Sequence, residues 1–433
     1  MLAGHLFFYS PSMLSLSERK KLLDRCTHHP TNTFYRNLYG LRPGESLTCA
    51  TEDDWQKIRP LTKADLAATP LQLRSFLPLS VLDHLRASSG TSGQPPLFSP
   101  RTHVRHLDYR LAYHDFKKPF LTFSVPMMPH WHEMVQTELG LAPRVITIDP
   151  QYPEATVRLA DIAGVDAASL FAYQLRTIGE AMKQSGLNKK IKFLEIAGEA
   201  CSRARYEYAR ETFPNATLVH SYGSSEVEDV PMGIPCGTMR ESEPYAVYHP
   251  KKSHFLEIAD SDGRVIAPHP GAEGDLLITA YPGEPSAFPL IRFKIGDTAH
   301  IVELPCTHEE PWSFTILGRT EIDFLKIEGG VVRVDELERV LRSVDTLVTD
   351  EFELHRHERQ TPDGPRVQLE LHVQLKKPVD LDTVAHLVAE NLRISPEKTY
   401  AQGVASGRFL PLICLPLIKR SPNQKHKRVI SHT

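Results

Sequence analysis

The sequence predicts an α/β protein of two or three domains, and three observations support this fold class. Short apolar strands and amphipathic helices alternate between residues 167 and 222, strands dominate from 245 to 317, and the pattern changes again after Gly318-Arg319. Alternation of the first kind is typical of α/β domains, whose ligands bind at the carboxyl ends of the strands. The length of 433 residues also exceeds what one ordinary core accommodates.

The first predicted helix starts near residue 14 and ends before Pro30, because its leucines recur among Lys and Arg residues. Residues 167–186 are predicted to form one amphipathic helix. Its apolar face comprises Leu170, Phe171, Leu175, Ile178 and Met182. A strand over 192–197, a helix over 203–213 and a strand over 218–222 complete the alternating segment.

Two strands, over 255–258 and 274–279, are predicted in the middle of the chain, with a turn at Asp262-Gly263 between them. Residues 324–433 carry their own set of elements and are enough for a small α+β domain. The predicted elements are strands near 324 and 352 and over 367–371, and helices over 335–344 and 381–392.

Composition excludes several classes of protein. Hydrophobic residues make up 41% and charged residues 24% of the chain, as in a soluble globular protein. A net charge of −3 gives no reason to expect a nucleic acid or a membrane as partner. Six cysteines in a chain of this size favour reduced thiols over a disulfide framework. With no secretory signal and no apolar run of about 18 residues, we expect a cytoplasmic protein.

A loop of small and hydroxylated residues lies between two short apolar segments, and it comprises Ser88, Ser89, Gly90, Thr91, Ser92 and Gly93. Glycine allows a close approach of backbone N–H groups to an anion, for which phosphate is the usual candidate. The loop lacks the lysine of the G-x-x-x-x-G-K-[ST] nucleotide motif. Taken alone, it is equally consistent with a surface turn.

Two histidine pairs, His103-x-x-His106 and His130-x-His132, have spacings that metal ligands use. Histidines at such spacings also occur as polar surface residues or packed side chains. Both interpretations stay open from the sequence.

Four ordered motifs are more specific together than any one of them. They are Ser88 to Gly93, Ser221-Tyr222-Gly223-Ser224-Ser225-Glu226, Arg292-Phe293-Lys294-Ile295-Gly296-Asp297, and Gly318-Arg319-Thr320 with Lys326-Ile327-Glu328-Gly329 after it. In this order and spacing they resemble the adenylate-forming superfamily of acyl-CoA synthetases and adenylation domains. The branch that the chain resembles most is the phenylacetate–CoA ligases, which share its Phe34-Tyr35-Arg36 element and its Leu-Thr-Lys-x-Asp-Leu element at residues 61–66.

The resemblance implies a magnesium- and ATP-dependent ligase that converts a carboxylic acid to acyl-AMP and then transfers the acyl group, with coenzyme A as acceptor. The Ser/Gly loop would hold the β- and γ-phosphates. Glu226 would hold Mg²⁺, a hard cation that prefers oxygen ligands. The resemblance also implies that Tyr222 and Gly198-Glu199-Ala200 contact adenine, that Ser225 and Arg319 contact phosphate, and that Asp297 accepts from the ribose hydroxyls. Ser221 and Gly223 are further implied cofactor-binding residues.

The resemblance also implies a large multi-sheet domain of residues 1–319 and a small mobile α+β lid of residues 320–433, which serves two half-reactions by swinging. Lys425, in Gln424-Lys425-His426-Lys427-Arg428-Val429, would bring its charge to the α-phosphate. The alternative is a solvated basic tail. With Lys425, Glu226 and Arg319 are the implied catalytic residues, and the hinge would be Glu321, Ile322 or Asp323.

Cys236, His249, Cys306 and His308 resemble a zinc site found in some members of the same branch, with His308 in place of a cysteine. Such a set would complete a tetrahedral structural site. His254 is the rival fourth ligand. The alternative is two free buried cysteines and two unrelated histidines.

Three functions are compatible with the motifs, and they differ in the fate of the acyl group. The first is an acid–CoA ligase. The second transfers the acyl group to an amine, a carrier-protein thiol or a protein side chain. The third is a non-catalytic nucleotide-binding descendant, favoured by Gln94, which stands where the family loop often has lysine. The sequence does not identify the acid, and residues 103–150, which would line its pocket, diverge most from the family.

Overall fold

The computed structural model describes most of the chain between residues 14 and 431. The ranges are 14–82, 84–87, 98–101, 120–123, 145–148, 152–198, 201, 203–227, 232–236, 243, 245–251, 253–260, 263–281, 286–303, 306, 312–319, 324–327, 330–395, 397–417 and 429–431. The Ser/Gly loop, Glu199, Ala200, His308, Lys425, the hinge candidates and the His103/His106 and His130/His132 pairs lie outside them.

Short helices form the first part of the chain, and capping boxes start three of them, at Ser15, Thr51 and Thr62. The helices are α1 (Leu16–Thr27), α2 (Phe34–Leu38), α3 (Glu52–Gln56), α4 (Lys63–Ala68) and α5 (Leu71–Arg74). A two-stranded antiparallel sheet follows, made of β1 (His84–Ala87) and β2 (Phe98–Arg101).

A parallel five-stranded sheet forms the second part, with the order β4-β3-β5-β6-β7. Its strands are β3 (Phe120–Phe123), β4 (Val145–Ile148), β5 (Ala167–Phe171), β6 (Phe193–Ala197) and β7 (Thr217–His220), and its helices are α6 (Pro153–Ile162), α7 (Leu175–Ser185) and α8 (Arg203–Thr212). Consecutive strands of this sheet all pair in parallel. The carboxyl ends of β6 and β7 therefore lie side by side, directly before Gly198 and Ser221.

A mixed-length antiparallel sheet of six strands follows, in the order β10-β11-β12-β13-β9-β8. The strands are β8 (Gly233–Pro235), β9 (Val247–Pro250), β10 (His254–Ala259), β11 (Glu273–Ala280), β12 (Leu290–Glu303) and β13 (Ser313–Arg319). Leu61 pairs with Phe293 of β12 through two backbone hydrogen bonds, Leu61 N to Arg292 O at 3.1 Å and Lys294 N to Leu61 O at 2.8 Å. This pairing ties the start of α4 to the sheet.

A buried ion pair connects that sheet to α3. Arg292 Nε lies 3.0 Å from Glu257 Oε2, and both side chains are almost fully buried. Trp55 Nε1 donates to the same carboxylate oxygen at 3.2 Å, and Arg292 Nη1 donates to the backbone oxygens of Gln56 and Ile58. Burial raises the pKa of Glu257, although Arg292 opposes the shift. Arg292 has a φ of +45°, which is unusual for a residue with a side chain.

The region after residue 323 has its own sheet, in the order β20-β17-β16-β21, and two small two-stranded sheets. The strands are β14 (Phe324–Ile327), β15 (Gly330–Arg333), β16 (Val348–Thr361), β17 (Gly364–Leu375), β18 (Arg393–Ser395), β19 (Lys398–Thr399), β20 (Ile413–Pro416) and β21 (Val429–Ser431), and the helices are α9 (Val334–Ser343), α10 (Leu381–Asn391) and α11 (Tyr400–Ala405).

Two separate apolar clusters form the main cores. One includes buried residues from Leu22 to Ile316, and the other includes buried residues from Leu325 to Cys414. The two regions touch where α8 meets the β16–β17 hairpin. Arg205 Nε lies 3.1 Å from Glu358 Oε2, with both side chains buried. A Cβ at Gly364 would lie 2.9 Å from the Tyr208 ring, so glycine permits this close approach.

Most of the predicted elements are confirmed, with one correction. The helix predicted over 167–186 begins only at Leu175, because Ala167–Phe171 is strand β5, the central neighbour of β3 and β6. Leu170 and Phe171 contributed to the helical pattern, but a strand buried on both faces has no alternation that would distinguish it from a helix.

Candidate active site

Tyr222 and Asp297, which are 75 residues apart, meet at the junction of the parallel and antiparallel sheets. The Tyr222 hydroxyl donates to Asp297 Oδ2 at 2.6 Å. Asp297 is only 8% exposed and lies directly opposite Arg319 in the β12–β13 register. Three residues that the sequence singled out, Tyr222, Asp297 and Arg319, therefore lie together at this junction, which is called the seam below. The side chain of Arg319 lies outside what the structure describes.

The backbone holds Tyr222 in place from both sides. Its amide and carbonyl bridge to Gly233, and Met232 N donates to Tyr222 O at 2.8 Å. A Cβ on Gly233 would lie 3.1 Å from the Tyr222 Cβ and 2.9 Å from that of Tyr248, so a small residue is needed there. The phenol ring packs against Tyr248 and Phe314, with centroid distances of 5.8 Å and 6.1 Å.

A second group of polar residues surrounds Glu226, which is 6% exposed. Ser225 Oγ donates to Glu226 Oε2 at 3.0 Å, and Ser224 Oγ donates to the same oxygen. Lys63 Nζ lies 3.6 Å from Glu226 Oε1. The carboxylate and hydroxyl oxygens fit a hard cation such as Mg²⁺, which would have Lys63 as its positively charged neighbour.

Glu195 is a buried residue of β6 that links neighbouring strands. Its carboxylate accepts from Ser221 Oγ at 2.9 Å and from Ser169 Oγ at 2.8 Å, and the side chain is 1% exposed. Sequence reasoning missed Glu195, as it missed the contact of Lys63 with Glu226. A charged residue in the otherwise apolar run 193–197 was the available signal for Glu195.

Gly198 directly follows β6 and has a φ of +82°. A Cβ at this position would lie 1.8 Å from the Phe171 ring, which no other residue could accommodate without rearrangement. The Ser221 amide donates to Ile196 O of β6 at 3.0 Å, so the end of β6 lies beside Ser221. The predicted partners Glu199 and Ala200 lie beyond the described part of this segment.

His220 is a buried histidine at the end of β7, just before Ser221. Among the described residues neither ring nitrogen has a hydrogen-bond partner, and the ring packs edge-on against Tyr248 at 5.3 Å. Burial lowers the pKa of His220 from its ordinary value of 6.5 to about 4. The imidazole is therefore neutral at physiological pH.

This burial predicts a pH-dependent loss of stability. In the unfolded chain His220 takes up a proton as the pH falls below 6.5, whereas in the folded chain it does so only near 4. The stabilisation that results from keeping His220 neutral is complete above pH 6.5 and is lost as the pH falls from 6.5 to 4. The free energy of unfolding should decrease over this range by an amount on the order of 3 kcal/mol. We expect His220→Phe to narrow the difference in urea midpoint between pH 8 and pH 5. An unchanged difference would contradict the burial of this ring.

Cys236, His249 and Cys306 form a buried group whose donor atoms lie within 4.8 Å of one another. The two sulfur atoms are 3.8 Å apart, and Cys306 Sγ is 4.0 Å from His249 Nε2. With Zn–S bonds of about 2.3 Å, two sulfurs of a tetrahedral site are also about 3.8 Å apart. His249 Nδ1 faces the Trp312 carbonyl at 3.3 Å, an outer contact typical of zinc-binding histidines.

The fourth predicted ligand, His308, lies outside the described residues. Its rival His254 is not part of this group, and its Nδ1 instead contacts Ser253 Oγ at 3.1 Å. The donor set that is present fits zinc.

In the described ranges no helix is long and apolar enough to cross a membrane.

These features define an α/β fold with several sheets and a group of polar residues at the carboxyl ends of the parallel strands. No family model matches the sequence, and no curated protein does. Solved structures do match. The chain is similar to 2-hydroxyisobutyryl-CoA ligase in complex with 2-HIB-AMP and CoA in the thioesterification state, with a TM-score of 0.56, 17% identity and coverage of 96% of this chain and 88% of that one.

The same ligase in the postadenylation state with 2-HIB-AMP gives a TM-score of 0.52, 16% identity and coverage of 96% and 88%. An open conformation of this ligase with 2-HIB-AMP and CoA gives a TM-score of 0.50 and 17% identity, with coverage of 96% of this chain and 90% of that one. The likeness extends over both regions of the chain. It confirms the predicted α/β fold class and shows that the chain shares the fold of this CoA ligase.

Proposed function

We propose that the chain activates a carboxylic acid with ATP and transfers the acyl group to coenzyme A. The observation that carries this proposal is the contact of Tyr222 with Asp297, opposite Arg319 in the β-ladder. Motifs far apart in the sequence share one seam, as a single nucleotide site requires. The fold is also that of a CoA ligase whose structures contain an acyl-AMP and CoA.

In the proposed reaction a carboxylate oxygen of the acid attacks the α-phosphorus of ATP, and the bond to pyrophosphate breaks. The CoA thiolate then attacks the acyl carbon, and AMP leaves. Asp297 would accept hydrogen bonds from the ribose hydroxyls, Tyr222 would offer its ring to adenine, and Arg319 would contact phosphate. Lys425 would stabilise charge at the α-phosphate during the first step.

The magnesium proposal rests on Glu226. Its carboxylate already accepts from two serine hydroxyls, so the oxygen donors are in place, and Mg²⁺ would neutralise phosphate charge there. Lys63, 3.6 Å from Glu226, adds a positive charge to a site whose loop has Gln94 instead of lysine. We assign Lys63 the role of orienting Glu226.

The proposal includes two domains, residues 1–319 and 320–433, of which the second is a mobile lid. Separate apolar clusters on either side of residues 317–324 support this division. The lid would break and remake contacts such as Arg205 with Glu358 as it moves. A cytoplasmic location is part of the proposal, and the six cysteines, all buried and none in a disulfide, are consistent with it.

The test is acid-dependent ATP–pyrophosphate exchange, measured with a panel of aryl, aliphatic and amino acids. We expect exchange with at least one acid, and a thioester when CoA is added. Acyl-AMP that accumulates unchanged with CoA but is consumed by an amine or a carrier-protein thiol would favour the second acceptor class. No exchange with any acid, together with measurable ATP binding, would contradict the enzyme and favour a nucleotide-binding descendant.

We also propose a structural zinc ion at Cys236, His249 and Cys306, with His308 as fourth ligand. Protein purified without chelators is expected to contain zinc at this site, and Cys306→Ser is expected to lose that ion and to unfold at a lower temperature. Cys414→Ser, which changes another buried thiol far along the chain, serves as the matched control. Elemental analysis that finds no zinc in the unmodified protein would remove this site.

A further inference from the structure

One face of the β16–β17 hairpin is polar and yet largely buried. Because side chains alternate along a strand, Leu354, Leu369 and Leu371 point into the apolar cluster of the C-terminal region. The opposite face carries a group of histidines and glutamates. Its members are Glu353, His355, His357, Glu370 and His372.

The strand register brings three of these residues together. Glu353 lies directly opposite His372, and His355 is the next residue of β16 on the same face. Directly opposite residues in antiparallel strands have Cβ atoms about 5 Å apart. One donor atom from each of Glu353, His355 and His372 lies within 4.8 Å of the other two.

The distances within this group match those between ligands of one metal ion. His355 Nε2 is 3.2 Å from Glu353 Oε2. With metal–nitrogen and metal–oxygen bonds of about 2.0–2.1 Å, neighbouring ligands of a tetrahedral ion are about 3.3 Å apart. The rings of His355 and His372 are stacked, with centroids 4.3 Å apart and an angle of 28° between their planes. Glu353 is 3% and His355 is 7% exposed, so the site is largely shielded from solvent.

Glu370 provides the outer contact that metal-binding histidines usually have. Its Oε1 is 2.6 Å from His372 Nε2, and its Oε2 is 3.6 Å from His357 Nε2. A carboxylate in this position fixes the orientation of a neighbouring imidazole.

We infer that Glu353, His355 and His372 bind a divalent transition metal, for which zinc is the best fit. Two imidazole nitrogens and one carboxylate oxygen are a donor set that zinc uses in proteins, with a fourth position for water. The ion would connect the two central strands of this sheet. This site is separate from the cysteine group and does not depend on the proposed ligase activity.

The experiment isolates this site by removing the thiol ligands of the other. The full-length chain with Cys236→Ser and Cys306→Ser is stripped with a chelator, dialysed against Zn²⁺, and assayed by elemental analysis. We expect about one bound zinc per chain, and Co²⁺ in its place should give a visible spectrum without a thiolate charge-transfer band. Binding of no zinc by this folded chain would overturn the inference.

Further variants in that background test the ligands. His355→Gln with His372→Gln is expected to lose the remaining zinc, whereas His386→Gln, on the exposed side of α10 in the same region, should retain it. Glu353→Gln, which changes the shape of the side chain very little, should weaken zinc binding at least tenfold. If circular dichroism shows that the double histidine variant is unfolded, the result for Glu353→Gln decides the test. Zinc retained in both ligand variants, or lost equally in His386→Gln, would contradict the assignment.

Discussion

Asp297→Ala is expected to reduce acid-dependent ATP–pyrophosphate exchange by about 100-fold or more. In the proposed site the carboxylate accepts hydrogen bonds from two ribose hydroxyls, and each hydrogen bond to a charged group contributes about 1.5–3 kcal/mol. The substitution also removes the acceptor of the Tyr222 hydroxyl, which lies 2.6 Å away. The loss should appear mainly as weaker binding of ATP, measured as KM for ATP.

Glu273→Gln is the matched control for this variant. Glu273 lies on β11 of the same antiparallel sheet, is exposed, and pairs with His300 at 3.1 Å. Its exchange activity should equal that of the unmodified chain. Exchange by Asp297→Ala within twofold of the unmodified chain would show that the nucleotide does not bind at this seam. Lys425→Ala provides a separate test of the proposed catalytic lysine.

Arg292→Met is expected to lower the free energy of unfolding by about 3–5 kcal/mol. It leaves Glu257 as a buried carboxylate without its ionic partner, and breaking a buried ion pair on one side has a cost of this size. Replacing both residues, as Arg292→Met with Glu257→Leu, should restore part of the loss because no uncompensated charge remains. Urea unfolding followed by tryptophan fluorescence reports on this directly, since Trp55 contacts Glu257.

The control for the ion pair is Arg339→Met, which breaks a surface contact of 2.7 Å with Glu336 on α9. Arg339 is largely exposed, so we expect almost no change in the urea midpoint. Equal changes in the urea midpoint for the two arginine variants would mean that the ion pair of Arg292 with Glu257 does not stabilise the fold. Arg292 would then be a candidate for contacting the ligand, as other residues of its motif are proposed to do.

The sequence predicts most of the individual helices and strands of this chain, but it does not predict which distant residues come into contact. The apolar stripe of α10 is contained in a short segment, and that helix lies where the pattern predicts it, whereas the helical pattern predicted over 167–186 also covered strand β5. Tyr222 and Asp297 were linked only through a family resemblance, since nothing in their 75-residue separation states that they touch. The resemblance was informative because several motifs occurred in the expected order.

The functional residues that sequence reasoning missed were missed for one physical reason, which is that their contacts come from distant parts of the chain. Lys63 and Glu195 act through partners from other elements, so their surroundings exist only after β-pairing joins residues far apart in the chain. The Glu353, His355 and His372 group depends on the register of a hairpin, and a shift of one residue would place His372 on the other face. Composition and periodicity do not specify register at that accuracy.

A crystal structure of the chain with ATP and Mg²⁺ tests the shared nucleotide site most directly. We expect density for one nucleotide at the junction of the two sheets, with the ribose hydroxyls hydrogen-bonded to Asp297 and the adenine beside Tyr222. A nucleotide bound elsewhere, with the Tyr222–Asp297 contact undisturbed and facing only solvent, would contradict the proposed site.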